Sequence, residues 1–285
     1  MQSRLLLNLF LLLLVIALAA YLLLSQEDEQ TASGQLTTLS ADEITRITIT
    51  HNERVISLDK SSDTWLMLSP IEAHANAFRI NTLLKLLETV SHADYKAASL
   101  DLDKYGLASA TTAIELNDTL ITFGITNPIN NLRYILINDT VHLIDDHFYP
   151  LLSSQTGTLV ARELVPASAE ISRIVLPDIT LHKDSDGNWQ STAAISSDAI
   201  INLLHEWQHG QAFGVHNYME RQSLGTIQVF LANTSEPIAF EITDTEPWLI
   251  LARPDLDIEY HFNLEFYDRL LKPGSQPPAA TEITE

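Results

Sequence analysis

From Ile44 to Leu68 apolar residues alternate with polar ones. Ile47 and Ile49 share one face, Ile56 and Leu58 share another, and Trp65-Leu66-Met67-Leu68 follows the polar run Ser61-Ser62-Asp63. A period of two marks a half-buried strand, so strands are predicted over 44–50, 55–58 and 65–68, with Pro70 ending the third. The period then lengthens. Ile80, Leu83, Leu84, Leu87 and Val90 recur at helical spacing, with Asn76 placed to cap the helix. Its single apolar stripe must lie against something, and the sheet is the obvious partner. Four further strands are predicted at 113–116, 120–123, 133–137 and 141–144, paired around the turns Asn117-Asp118 and Asn138-Asp139. Phe148-Tyr149-Pro150-Leu151-Leu152 closes the set.

The same plan then returns. Glu43-Ile44-Thr45-Arg46-Ile47 recurs 127 residues later as Glu170-Ile171-Ser172-Arg173-Ile174, Trp65 recurs as Trp189, and Phe148-Tyr149 recurs as Phe266-Tyr267. Strands are predicted at 171–176, 179–182 and around Trp189. A helix carries Ile200, Leu203, Leu204 and Trp207, capped by Ser197 or Asp198, and strands follow at 226–231, 238–242, 248–251 and 258–262. A repeat of this length is domain-sized, and short turns between strands imply antiparallel pairing. The expected organisation is an anchor at 1–25, a tether at 26–42, copy one at 43–152, a connector at 153–169, copy two at 170–272 and a disordered tail at 273–285. The expected fold class is α+β: an N-terminal transmembrane helix followed by two tandem copies of a mainly antiparallel sheet-plus-helix unit.

The anchor rests on residues 5–24, an unbroken run from Leu5 to Leu24 that is apolar except for Asn8 and Tyr21. As a helix it would be ~30 Å long, enough to cross a bilayer core. Arg4 precedes it and Glu27, Asp28 and Glu29 follow, which sets the N-terminus in the cytoplasm and the body outside. The run continues past Ala17-Leu18-Ala19, longer than a cleaved signal core, so it reads as an uncleaved anchor. The predicted localisation is the bacterial inner membrane, single pass, with a periplasmic body.

Composition narrows the function classes. The net charge is −21, from 37 acidic and 16 basic residues. Such a field repels phosphate backbones and disfavours nucleic-acid binding. Cysteine is absent, which removes disulfides and thiolate metal sites.

The order of features resembles a known family. An Ile-x-Arg-Ile strand at Ile44 to Ile47, a hairpin leading to Trp65 and a Leu-rich helix precede Tyr105-Gly106-Leu107. Phe123-Gly124, Arg133-Tyr134 and Arg162-Glu163-Leu164-Val165-Pro166 follow. This arrangement is similar to the bacterial domain-of-unknown-function family numbered 4340. Copy two lacks counterparts of Tyr105-Gly106-Leu107 and Phe123-Gly124. The resemblance implies an envelope accessory role beside ABC-transporter components like the auxiliary parts of gliding-motility-type transporters. It implies no catalytic residue.

One motif suggests chemistry. His205-Glu206-Trp207-Gln208-His209 has the His-Glu-x-x-His form of zinc peptidases. On a helix both imidazoles share a face for one Zn²⁺, Glu206 is placed as general base, and His216 or Glu220 is available as third ligand. Against this, Ala212 and Val215 stand where the extended spacing needs Gly and His. Copy one has Lys85, Leu86 and Thr89 at the matching positions. The histidines also sit opposite the Leu203/Leu204/Trp207 stripe, as surface residues do. Asp184-Ser185-Asp186-Gly187-Asn188 has Trp189 and Ile195 where a calcium loop needs Gly and Glu, so it reads as a hairpin turn. Asp145 and Asp146 beside His147 read as turn caps. Trp65 and Trp189 read as core residues. Arg46 and Arg173 await either a carboxylate on a neighbouring strand or solvent.

The functional expectation is a non-enzymatic single-pass envelope protein whose duplicated body is an accessory or scaffold for an ABC-type membrane transport complex, with a bilayer and a membrane protein as partners and no cofactor. One alternative is a zinc hydrolase using His205, Glu206 and His209. Another is a ligand- or glycan-binding module at the junction of the copies.

Overall fold

The computed structural model describes residues 34–232 and 234–274, with isolated positions Leu12, Leu14, Val15 and Leu18. Most of the predicted anchor, the first part of the tether (26–33) and the tail beyond Gly274 lie outside the described residues.

Copy one builds β1 (Arg46–His51), β2 (Arg54–Ser61), β3 (Thr64–Ser69), β4 (Ala73–His74), helix α1 (Ala77–Leu84), β5 (Ala93–Lys96), β6 (Thr112–Leu116), β7 (Thr119–Thr126), β8 (Leu132–Ile137), β9 (Thr140–Asp145) and the short helix α2 (Tyr149–Leu152). Copy two builds β10 (Ile171–Val175), β11 (Thr180–Lys183), β12 (Trp189–Ser191), helix α3 (Ser197–His209), β13 (Gly214–Asn217), β14 (Gly225–Leu231), β15 (Ile238–Asp244), β16 (Trp248–Arg253), β17 (Ile258–Asn263) and helix α4 (Glu265–Leu271). The first sheet has nine strands in the order β4-β3-β2-β1-β6-β7-β8-β9-β5. The second has eight in the order β12-β11-β10-β14-β15-β16-β17-β13. Apart from β4, the two chain paths are the same. In each, the first hairpin pairs with the second strand set, and the strand after the helix returns to the far edge.

The predicted class is thereby corrected. Two antiparallel sheets with a few short helices carry the described fold, rather than an α+β balance. Among the described residues no helix is long and apolar enough to cross a membrane, so the transmembrane helix of the predicted class is not shown. Two physical reasons account for the shift toward strand. The first helix keeps α geometry for only eight residues before tightening to a 3-10 turn at Lys85–Glu88. The edge strands β4, β5 and β13 are too short to show a period of two, yet all three join the sheets.

Elsewhere local chemistry matches local structure. Asn76 Oδ1 accepts from the Arg79 amide at 3.2 Å and caps α1. Ser196, one residue before the predicted cap, does the same for α3 from the Ala199 amide, also at 3.2 Å. Asn117 and Asn138 take φ of 53° and 51°, the left-handed geometry a two-residue hairpin turn requires.

Chain packing divides the molecule into two units. One comprises Leu87–Ala110 and Thr122–Asp146 with the described residues up to Thr38; the other comprises Leu39–Leu86, Thr111–Ile121 and the described residues from His147. Within the first unit, the residues that carry the family resemblance meet in one cluster. A Cβ on Gly124 would stand 2.2 Å from the Tyr105 carbonyl oxygen and 3.0 Å from the Leu107 side chain. Arg133 donates to the Gly124 carbonyl and grips Asp146 through two bonds of 2.6 and 2.7 Å. The Tyr134 ring lies 4.7 Å from that of Tyr105. Asp146 therefore neutralises a buried arginine rather than capping a turn, and Asp145 pairs with His92. The motif is a packing lock, and Gly124→Ala tests it. The added methyl meets backbone, which cannot swing aside, so a loss of about 2–3 kcal/mol is expected in urea unfolding.

In the second unit the buried faces are those that alternation marked. Ile47, Ile49, Ile56, Leu58, Ile80 and Leu83 are closed off in copy one, and Ile174, Leu181, Ile227, Val229, Leu203 and Trp207 in copy two. Arg46 reaches Asp118 at 3.4 Å, whereas Arg173 lies over the Phe230 ring at 5.1 Å. Trp65 is buried; Trp189 is half-buried under Lys183.

Candidate functional site

The connector is a bonded strap. Its start is fixed by Arg54, which donates to the Leu152 carbonyl at 2.7 Å and to the Ser154 carbonyl. A 3-10 turn at Thr156–Leu159 follows. On the copy-one side, the Asn76 amide donates to the Leu159 carbonyl at 2.7 Å and the Ala161 amide to the His74 carbonyl at 2.8 Å. On the copy-two side, the Ala212 amide donates to the Arg162 carbonyl at 3.0 Å. The Gly157 amide reaches Asn217 Oδ1, and the Asn217 amide reaches Gln155 Oε1, both at 3.2 Å. The strap thus satisfies backbone groups beside β4 and β13, at one edge of each sheet.

This lacing frames a groove of about 610 Å³. Asn76, Phe78 and Arg79 line it from copy one, Val160 and Arg162 from the strap, and Phe213 and His216 from the segment entering β13. Phe78 is 72% exposed and Phe213 46% exposed, unusual for phenylalanines with room to bury. Gly157 is glycine because a Cβ there would stand 2.6 Å from the His216 backbone. A Cβ on Gly214 would stand 2.8 Å from His216 Nε2. Both small residues let the His216 strand and ring sit close to the strap.

Behind the groove lies a buried polar chain. Glu259 on β17 is wholly enclosed and sits opposite His216 in the β13–β17 register. Its carboxylate accepts from Arg221 at 2.7 Å, from the Met219 amide at 3.2 Å and contacts His261 Nε2 at 2.8 Å. Burial pushes the Glu259 carboxyl up, but the bonds from Arg221, His261 and the Met219 amide outweigh it and leave it below the usual range. The His216 ring lies 4.5 Å from that of His261. Burial, then the neighbouring His261, lowers the His216 pKa, with Glu259 opposing. Burial also lowers that of His142, against Asp94.

These shifts share one sign. Each group releases its proton more readily when folded, so the unfolded chain binds more protons between the two pKa values. Stability is expected to fall as pH drops below about 6.5, where unfolded histidine titrates, and again below about 4.3, where unfolded glutamate does. Urea unfolding at pH 7, 6 and 5 checks the first step, and His142→Gln with His216→Gln should flatten it.

The zinc-like motif is placed differently. His205 and His209 stand side by side on the exposed face of α3, rings 4.8 Å apart. Glu206 forms an ion pair with Arg269 of α4. His216 belongs to the β13 strand described above, and Glu220 sits in the irregular segment after it at φ 49°. Among the described residues no group of three or more His, Asp or Glu side chains is arranged to hold a metal ion. Trp207, between the histidines, is wholly buried, donates from Nε1 to the Leu270 carbonyl at 2.9 Å and lies 5.6 Å from the Phe240 ring. Asp184 organises a turn by accepting from the Asp186 and Asn188 amides, both at 2.9 Å.

Sequence reasoning passed over Arg79, Phe213 and the side chain of Arg162. Phe78 did carry a signal. It falls off the Ile80/Leu83/Leu84 stripe, so helix phase alone puts an aromatic ring on the solvent side. No curated protein and no solved structure matches this chain. A family model, that of the domain of unknown function DUF4340, does match residues 65–206, from β3 through the strap into α3.

Proposed function

We propose that this chain is a non-enzymatic interaction module of the bacterial envelope, an accessory or scaffold for an ABC-type membrane transport complex. In this reading the apolar run from Leu5 to Leu24 holds it at the inner membrane and the duplicated body works on the periplasmic side. The supporting observation is the junction groove: a strap bonded to both copies holds open a concave surface with two exposed phenylalanines. Preorganisation of that kind lowers the ordering cost of binding. Glu206 is committed to Arg269, which leaves the zinc-hydrolase alternative without a free general base.

The test is co-purification from gently solubilised membranes. Transport-complex components should accompany the full-length chain and be depleted at least tenfold by Phe78→Asp with Phe213→Asp. They should be retained by Leu224→Asp, an exposed apolar position outside the groove lining. Recovery of the chain alone, with unchanged complex assembly when it is deleted, would refute the reading.

A further inference from the structure

The groove framed by the strap has a charge character opposite to that of the chain. The whole protein carries 37 acidic and 16 basic residues. Yet the groove lining contains two guanidinium groups, Arg79 and Arg162, and one imidazole, His216, with no carboxylate. Most other arginines described here are already engaged. Arg46, Arg133, Arg221, Arg253 and Arg269 each hold a carboxylate. Neither Arg79 nor Arg162 has a carboxylate partner among the described residues; Arg162 donates from Nη2 to Gln211 Oε1 at 2.8 Å, which orients it without neutralising it. The rims are Phe78 and Phe213, both exposed.

The α3/α4 depression makes the contrast. It is larger, about 840 Å³, but Asp198, Glu206, Glu265 and Asp268 outnumber Arg269 and Lys272 there, so its lining is acidic like the chain as a whole.

We infer that the strap groove binds a small phosphate monoester with an apolar or aromatic body, its phosphate taken by Arg79 and Arg162 and its body by Phe78 and Phe213. The volume falls within the range of small-molecule sites. Guanidinium forks suit a dianionic phosphate because several N–H donors converge on its oxygens. Exposed rings suit a flat or acyl body better than a glycan, which would ask for more hydroxyl partners than this lining supplies. A phosphate head reaches the groove either free in solution or on a lipid.

The inference uses the same groove and phenylalanines as the proposed docking role, but its test is separate, since ligand binding by the purified chain needs no transporter. The experiment is calorimetric titration of the full-length protein with phenyl phosphate, inorganic phosphate and benzyl alcohol. Phenyl phosphate is expected to bind one-to-one and at least tenfold more tightly than either half-molecule. Arg79→Gln with Arg162→Gln should weaken it tenfold or more without shifting the melting temperature. Should the double variant fail to fold, Arg79→Gln alone reads the same loss, because its exposed side chain bonds nothing described. Phe78→Ala should remove the preference for phenyl phosphate over inorganic phosphate while leaving the latter bound. Vesicles containing phosphatidic acid that compete with phenyl phosphate identify a lipid source; vesicles that do not compete identify a soluble one. Both support the site when the arginine dependence holds. Equal binding of benzyl alcohol and phenyl phosphate, or binding indifferent to both arginines, overturns it.

Discussion

Trp207→Ala is expected to lower the unfolding free energy by about 3–5 kcal/mol, the range for emptying a buried tryptophan site. The side chain is wholly enclosed, stacked near Phe240 and bonded to the Leu270 carbonyl. Its loss leaves a cavity between α3 and the second sheet and an unpaired carbonyl on α4. His205→Ala and His209→Ala, on either side of it in sequence, are expected to change stability by no more than about 0.5 kcal/mol, as surface positions do. Chemical denaturation of the three variants measures the contrast. A large effect at the histidines and a small one at Trp207 would mean that the motif is held for its imidazoles after all.

Glu259→Gln is the second large expected effect. The carboxylate is wholly buried and accepts from Arg221, the Met219 amide and His261. Glutamine keeps the shape but strips Arg221 of its counter-charge. Breaking a buried pair from one side costs about 3–5 kcal/mol. The Arg221 side chain is 27% exposed, so water recovers part of that and the lower end is expected. Because His216 faces Glu259 across the β13–β17 pair, the variant should also lower the His216 pKa further by removing a favourable charge. Histidine chemical shifts followed through a pH titration check this. An unmoved His216 would show that the two groups do not sense each other.

What the sequence disclosed follows from periodicity. The long strands β1, β2, β8, β14 and β15 alternate over enough residues to announce themselves, and the turns at Asn117 and Asn138 marked the β6–β7 and β8–β9 hairpins. The internal repeat showed through because Ile47 and Ile174 are buried at equivalent strand positions, where only a narrow set of side chains fits. The edge strands stayed hidden. Gly214-Val215-His216-Asn217 has one apolar residue in four, and its strand character comes from β17 beside it rather than from its own pattern. Their omission is why the chain read as α+β when sheet dominates it.

The groove was hidden for a related reason. Arg79, Arg162 and Phe213 are far apart in sequence and belong to three different elements. Only the strap brings them together, and its bonds run mostly from backbone groups that every residue possesses. The histidine pair at 205 and 209 misled in the opposite direction. Helical spacing puts i and i+4 together whatever their purpose, so proximity was guaranteed and carried little information. The family-like cluster at Tyr105, Gly124 and Arg133 was visible as residue types, but its role as a packing lock depends on the Tyr105 carbonyl crowding the place where a Cβ on residue 124 would stand, which no pattern encodes.

The account depends on a rigid connector that keeps the groove open before anything binds. Amide hydrogen exchange at Asn76, Ala161 and Ala212 tests this most directly, since each donates across the strap. These amides should exchange as slowly as those of Ile49 and Val229 inside the sheets. Exchange at the rate of an open loop, while the sheets stay protected, would contradict it.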